Sequence, residues 1–147
     1  MKKFLAAVAL VTGFSMQPVM AGETMAPEGA SVYFISPHDG DAVKGPVKVM
    51  FGLSGMGVAP AGTDKEKTGH HHLFVDRAPF GEGPDGAEEA NENIPSDEHH
   101  RHFGGGQTET TLDLAPGKHT LQLVVGDKDH IPHDKPVVSP QITITVE

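Results

Sequence analysis

The amino-acid sequence predicts an all-β fold: an antiparallel immunoglobulin-like sandwich over residues 31–147, with a cupredoxin-like barrel as the alternative. Three observations support this fold class. Several short segments alternate apolar and polar residues with the period of two that marks a half-buried strand. Turn signals containing glycine and proline lie between those segments, and no segment shows the period of an amphipathic helix.

The predicted strands follow one another along the chain. The clearest contains Val47, Val49, Phe51 and Leu53, which alternate with polar or smaller residues and would share a buried face. An Ala-Pro-Gly turn separates the fourth strand from the fifth. In chain order the six segments are VYFI, VKVMFGL, HHHLFVD, TETTLDL, HTLQLVVGD and PQITITVE.

Two further patterns favour the immunoglobulin-like form of the sandwich. The phrase SPHDGDAVKGPVKVMF resembles the opening two strands of many bacterial immunoglobulin-like domains. His119 lies where such domains often carry a tyrosine that bonds back to the backbone, so a structural role at a corner is expected for it. Between Pro79 and Pro95 the chain is acidic and rich in glycine, which predicts a long surface loop.

The first 21 residues are predicted to be a cleaved signal peptide. Lys2 and Lys3 form a charged start, residues 4–14 form a short apolar run, and Ala21 ends a cleavage site of small or medium residues. The apolar run is shorter than the roughly 20 residues that cross a bilayer. We therefore expect a periplasmic protein with a flexible lead-in at residues 22–30 and one domain at residues 31–147.

Composition limits the classes of partner. The chain carries 20 acidic and 11 basic residues, a formal net charge of −9, and loss of Lys2 and Lys3 makes the mature chain still more acidic. Phosphate binding needs clustered Lys and Arg, so nucleic acid and anionic membrane surfaces are not expected partners. The chain has no cysteine, so a metal site would use histidine, methionine or carboxylate ligands.

The ten histidines carry the main functional signal. Three stand together at positions 70–72 of a predicted strand, whose side chains alternate between faces. Leu73 and Val75 are the expected core residues, so His71 should pack inward with them. His70 and His72 should point together to the other face, where two imidazoles two residues apart can bind one ion.

Two later clusters supply further candidate ligands. His102 follows His100 in a second His-x-His pair, and the three glycines after it let the backbone approach a neighbour closely. His130 and His133 flank Pro132, which stiffens the loop between them. No single spacing matches a zinc finger or a helical HExxH motif, so the prediction depends on the three clusters meeting in space.

The candidate centre has a ligand set and a supporting set. Carboxylates near the histidines can act as outer acceptors that orient the ligands. The predicted supporting residues are His71, His119, Asp127 and Glu109. The predicted metal ligands are His70, His72, His102, His130 and His133.

The metal is expected to be copper, with zinc as the alternative, because imidazole-rich sites suit both ions. Met25 and Met56 favour copper, since thioethers bind Cu(I). The predicted function is a periplasmic carrier, buffer or delivery module for the ion, with another periplasmic metal-handling protein as its partner. Competition from protons should weaken binding below about pH 6.

Two other classes of function stay open at the level of sequence. An immunoglobulin-like module that binds a protein partner without metal would account for the polar loops, although the chain has no Trp and one Tyr to anchor an interface. A metal-dependent enzyme could use Glu98 or Glu109 as its base, but no serine or cysteine nucleophile motif is present. A non-catalytic role is therefore expected.

Three distinctive phrases run through the chain: GMGVAPAG with TGHHHLFVD, then HFGGGQTETTLDLAPGKHTLQLVVGD, then HIPHDKPVVSPQITITVE. Together they resemble a family of small exported bacterial proteins known as domain of unknown function 4399. The similarity extends from Val32 to Glu147 and brings no established activity with it. It implies that the histidine phrases belong to the family pattern. By position these are His70, His71, His72, His102, His119, His130 and His133.

Overall fold

The computed structural model describes residues 24–147 of the chain. The expected signal peptide at residues 1–21 and the first two residues of the lead-in lie outside this part. The elements are β1 Ser31–Ser36, β2 Ala42–Val43, β3 Val47–Ser54, β4 Gly57–Val58, β5 Thr68–Val75, α1 Gly86–Glu89, β6 His100–His102, β7 Glu109–Leu112, β8 Gly117–Gly126 and β9 Ile142–Val146.

Two sheets form the fold. The smaller contains three strands in the order β1-β3-β7, and the larger has the order β2-β9-β8-β5-β4, with β6 also paired to β5. The named pairs are antiparallel except β2 with β9 and β4 with β5. Neither sheet closes on itself within residues 24–147, so the predicted sandwich is confirmed and the barrel alternative is wrong.

The main core lies between the two sheets because the strands alternate as expected. Phe51 of β3 and Leu73 of β5 are buried there, with Leu121 and Leu123 of β8. The larger sheet also buries its outer face, where Phe74 packs with its neighbours Ile94 and Val124 in a second apolar cluster. The larger sheet is therefore covered on both faces.

The cover of the outer face is the acidic segment that was predicted as a surface loop. It contains the single turn α1, and the backbone N–H of Phe80 donates to Gln122 Oε1 at 2.7 Å, which fixes the segment against β8. An element of four residues is too short to show a helical period, so the sequence did not predict it. Within residues 24–147 no helix is long and apolar enough to cross a membrane.

Residues 24–30, expected to be a flexible lead-in, are hydrogen-bonded to the loop after β8. The Thr24 hydroxyl donates to Asp127 Oδ2 at 2.6 Å, and the Asp134 N–H donates to the Thr24 carbonyl at 2.9 Å. The Ala26 N–H donates to Asp134 Oδ1 at 2.7 Å. This segment is therefore attached to the domain beside the last histidine cluster.

Candidate metal centre

Strand β5 places two histidines on the outer face of the larger sheet. Side chains alternate along a strand, so His70 and His72 share the face of Phe74, while His71 shares the core face of Leu73. The Nε2 atoms of His70 and His72 lie 3.0 Å apart. Two imidazole nitrogens thus meet at one point on a rigid strand.

Strand β6 brings a third histidine to this point. It pairs with β5 in the register that sets His102 opposite His72. The two rings stack with their centroids 5.1 Å apart and their planes at 29°. A Cβ atom on Gly104 would lie 2.6 Å from His102 Nε2, so the absence of a side chain at residue 104 gives the ring its space.

The loop after β8 supplies the fourth histidine. His130 Nδ1 lies 3.1 Å from His70 Nε2. The backbone of His130 has a φ of 66°, in the left-handed region that non-glycine residues rarely adopt. Non-glycine residues held in this conformation are often found at functional sites.

Asp127 shapes the turn that presents His130. Its Oδ1 accepts hydrogen bonds from the N–H groups of Asp129 and Ile131, at 2.9 and 3.0 Å, and its Oδ2 accepts from Thr24. Burial alone would raise the pKa of Asp127, but these hydrogen bonds outweigh it and hold the pKa below the usual range. On the other side of the loop, the N–H of Ile94 donates to the His130 carbonyl at 2.8 Å.

These four residues, His70, His72, His102 and His130, form the four-histidine cluster. One ring nitrogen from each lies within 4.8 Å of the others. Nitrogens that bind one ion at 2.0–2.1 Å lie about 3.3 Å apart in a tetrahedral site. In a square-planar site, two nitrogens on opposite sides of the ion lie about 4.2 Å apart. The cluster is somewhat wider than either arrangement, and it could hold a metal ion if its side chains close around it.

Burial keeps His70, His72 and His102 in the neutral state that metals require. Desolvation, together with the charges of neighbouring histidines, lowers the pKa of His70 to about 4 and that of His72 to about 2. Desolvation and His130 also lower the pKa of His102. Uncharged imidazoles with free lone pairs are metal ligands, whereas imidazolium ions are not.

The second nitrogens of the strand histidines are buried without a partner. Within residues 24–147, neither His70 Nδ1 nor His72 Nδ1 has a hydrogen-bond partner. Unpaired buried polar atoms are uncommon in folded proteins. Within the same residues, both ring nitrogens of His133 are also buried without a partner, although His133 lies outside the cluster. Unpaired ring nitrogens are therefore found both inside and outside the cluster, and the case for a metal centre depends on the convergence of its four rings.

His133, expected among the ligands, lies outside the cluster. It is fully buried, and a Cβ atom on Gly69 would lie 3.2 Å from its Cε1 atom. Gly69 shares the core face of His71 on β5, so His133 is on the opposite side of the strand from His70. This position of His133 follows from the backbone at Pro132, which pairs with Gly126 and places the next residue on the core side of the sheet.

Three of the four expected supporting residues do not contact the cluster. Glu109 is exposed on the smaller sheet and pairs with Lys48 at 3.2 Å. His71 packs in the core with its ring 4.7 Å from that of Phe51. His119 lies at the far end of β8 from the cluster. Only Asp127 supports the centre, through the turn that carries His130.

His119 has the structural corner role that was expected. Its Nδ1 lies 2.7 Å from Asp76 Oδ2, and its Nε2 lies 2.7 Å from the Ala115 carbonyl. The hydrogen bond to Asp76, followed by that to Ala115, raises the pKa of His119. Both nitrogens face acceptors, so the ring is held as a donor of two hydrogen bonds.

The His-x-His pair on β6 is divided between two environments. His100 hydrogen-bonds to Asp97 at 2.8 Å and contacts Arg77, and its ring packs on Phe74 with the centroids 4.8 Å apart. His100 therefore lies two residues before His102 on β6 and outside the cluster. The pair made β6 recognisable as a source of ligands, although only His102 joins the cluster.

The methionines that favoured copper do not extend the ligand set. Met56 packs against the main core and Met25 is exposed. Gly126 contributes instead, because a Cβ atom there would lie 2.8 Å from His72 Nε2. Neither Gly126 nor Ile94 carries a local sequence signal for this role, since the contact exists only once β5, β8 and the acidic segment have come together.

A family model described as Domain of unknown function (DUF4399) matches residues 49–147, which confirms the resemblance. No curated protein and no solved structure gave a significant match to the chain. The matched residues make up more than half of the sequence and include the whole four-histidine cluster. The chain therefore belongs to the family known as domain of unknown function 4399.

Proposed function

We propose that this protein is a non-catalytic carrier or buffer for a transition-metal ion, copper(II) in preference to zinc. The observation that carries the proposal is the convergence of four imidazoles, two of them fixed on one strand. Among divalent first-row ions, copper binds a given nitrogen site most tightly. The ligand set contains no thioether, so Cu(II) fits it better than Cu(I).

The number of imidazoles supports a carrier over an enzyme. Catalytic zinc sites keep one position open for water or substrate, whereas four imidazoles fill a tetrahedral zinc ion or the plane of a square-planar copper(II) ion. His70 and His72 are buried, which limits access of a substrate to the ion. A buffer or delivery module needs only binding and release.

The periplasm is the compartment that we propose for this activity. The support is the amino-terminal sequence, with its two lysines, short apolar run and small residue at Ala21. A cysteine-free site is insensitive to the oxidising conditions of that compartment. The proposed recipient or donor of the ion is another periplasmic metal-handling protein.

The test is a titration of the exported, tag-free protein with Cu(II), Cu(I) and Zn(II) against a strong competing chelator. We expect one tight equivalent of Cu(II), with a nitrogen-rich electron paramagnetic resonance spectrum, and weaker binding of Zn(II). The double variant His70→Ala with His72→Ala should lose the tight equivalent.

The matched control removes two imidazoles elsewhere. His38 is exposed and His99 is half-exposed at its side chain, and neither belongs to the cluster. His38→Ala with His99→Ala should keep the tight equivalent. Several weak equivalents that fall equally in both double variants would show that the protein binds metal only through scattered surface histidines.

A further inference from the structure

Apart from the four-histidine cluster, the protein has a cavity beneath the acidic segment, on the outer face of the larger sheet. We call it the outer-face pocket; it encloses about 450 Å³ and its apolar floor is formed by Phe74, Phe80 and Ile94. Small-molecule sites typically enclose about 300–1,000 Å³ and are mostly apolar. No member of the four-histidine cluster lines this pocket, so the two sites are separate.

The charged groups in the inner wall of the pocket already have partners. Arg77 pairs with Glu89, and its guanidinium carbon lies 4.5 Å from the centroid of the Phe74 ring. His100 hydrogen-bonds to Asp97 at 2.8 Å. A ligand that enters the pocket therefore meets an apolar surface and compensated charges.

The rim of the pocket is different, because its carboxylates form no ion pair, although the charge of Asp85 acts on Arg77 at longer range. Glu82, Asp85, Glu88 and Glu92 line the opening and are exposed. Within the described residues none of the four has a basic group within 4.0 Å. The mouth therefore carries a net negative potential above an apolar floor.

This arrangement is unsuited to a bare metal ion. Among residues 24–147, only the four-histidine cluster brings three or more metal-ligating groups to one point. The rim carboxylates are instead spread around an opening, and the deeper surface is aromatic and aliphatic. An ion would remain hydrated at the rim, whereas an amphipathic cation satisfies both parts of the pocket.

We propose that the outer-face pocket binds a small organic cation. Its aromatic or branched apolar body lies against the half-buried Phe80, with the nearly buried Phe74 and Ile94 behind that ring, and its ammonium group faces the rim carboxylates. The apolar floor provides the hydrophobic contribution, and the rim selects the sign of the charge. This binding does not depend on a metal in the four-histidine cluster.

The experiment uses the metal-free, tag-free protein and three probes of similar size. They are 2-phenylethylammonium, neutral 2-phenylethanol and anionic 3-phenylpropionate, each followed by NMR titration. We expect saturable shifts at Phe80 and Ile94 with the cation, affinity lower by about five- to tenfold with the alcohol, and no saturation with the anion. Absence of saturation by the cation, or equal affinity for cation and alcohol, would overturn the proposal.

Two variant pairs separate rim charge from overall charge. Glu88→Gln with Glu92→Gln should weaken binding of the cation about five- to tenfold, since two exposed ion pairs are removed and each contributes modestly. Glu28→Gln with Glu66→Gln removes the same charge outside the pocket and should leave the affinity unchanged. Phe80 is a half-buried residue of the floor, and Phe80→Ala should weaken binding of the cation and of the alcohol by a similar factor. Equal losses in both charge variants would show a diffuse attraction to an acidic protein and no site.

Discussion

At the scale of single residues, His130 combines a ligand position with an unfavourable backbone. Its φ of 66° costs a non-glycine residue about 1–2 kcal/mol, a cost that glycine does not have. We expect His130→Gly to leave the free energy of unfolding of the metal-free protein unchanged or raised by up to about 1 kcal/mol. Its affinity for metal should fall by more than the roughly 10- to 100-fold that loss of an outer-shell partner causes.

The contrast for this prediction is His102→Gly, which removes a ligand from β6. His102 lies in an ordinary strand, where glycine destabilises by about 0.5–1 kcal/mol or more. Urea denaturation with chelator present measures stability, and competition titration measures affinity. If His130→Gly destabilised the protein as much as His102→Gly, the backbone of His130 would not be under strain.

At the scale of elements, the cluster joins two strands to one loop, and the loop depends on Asp127. We expect Asp127→Ala to weaken metal affinity about 10- to 100-fold at unchanged stoichiometry, because the turn that presents His130 loses its acceptor. Asp127→Asn should retain most of the affinity, since an amide oxygen can still accept from both N–H groups. The measurement is a chelator competition on each variant.

Asp129→Ala is the matched control in the same loop. Asp129 is exposed and its side chain contacts Lys128, so its removal changes the charge without changing the turn. We expect near-normal affinity for metal in this variant. Equal losses in Asp127→Ala and Asp129→Ala would mean that loop charge, and not loop shape, sets the affinity.

The site could be predicted from sequence to the extent that strand parity determines it. Alternation alone separates His70 and His72 from His71, because Leu73 and Val75 identify the core face. This alternation could not predict the position of His133, because the direction of its side chain follows from the pairing of Pro132 with Gly126. The contact of His130 with Ile94 also lay beyond prediction, because it needs the acidic segment to fold over the sheet.

The same distinction holds for the fold. Long alternating strands such as β3 and β8 were predictable because they show several periods, whereas β2, β4 and β6 have two or three residues each. The short strand β6 nevertheless sets the register of His102 against His72. The position of His102 in the centre is therefore determined by pairing between strands that are distant in sequence, and local patterns could not predict it.

At the scale of the whole molecule, the buried histidines make stability depend on pH. Burial lowers the pKa of His70 and His71 from the usual 6.5 to about 4, and it also lowers the pKa of His72 and His102. Between pH 6.5 and 4 the unfolded chain therefore binds more protons than the folded one. Stability should fall with pH across this window, by about 1.4 kcal/mol per pH unit for each proton taken up on unfolding.

His119 acts in the opposite direction, but it is one group against four. Its raised pKa contributes stability below about pH 6.5 that is lost as the pH rises through its folded value. Urea denaturation of the metal-free protein at pH 7.5, 6.5, 5.5 and 4.5 should therefore show decreasing stability toward acid. The slope should be shallower in the variant His70→Ala with His72→Ala, which no longer takes up those protons on unfolding. Stability that was constant or rising from pH 7.5 to 4.5 would mean that the buried histidines take up protons as readily in the folded protein as in the unfolded chain, and that burial does not lower their pKa.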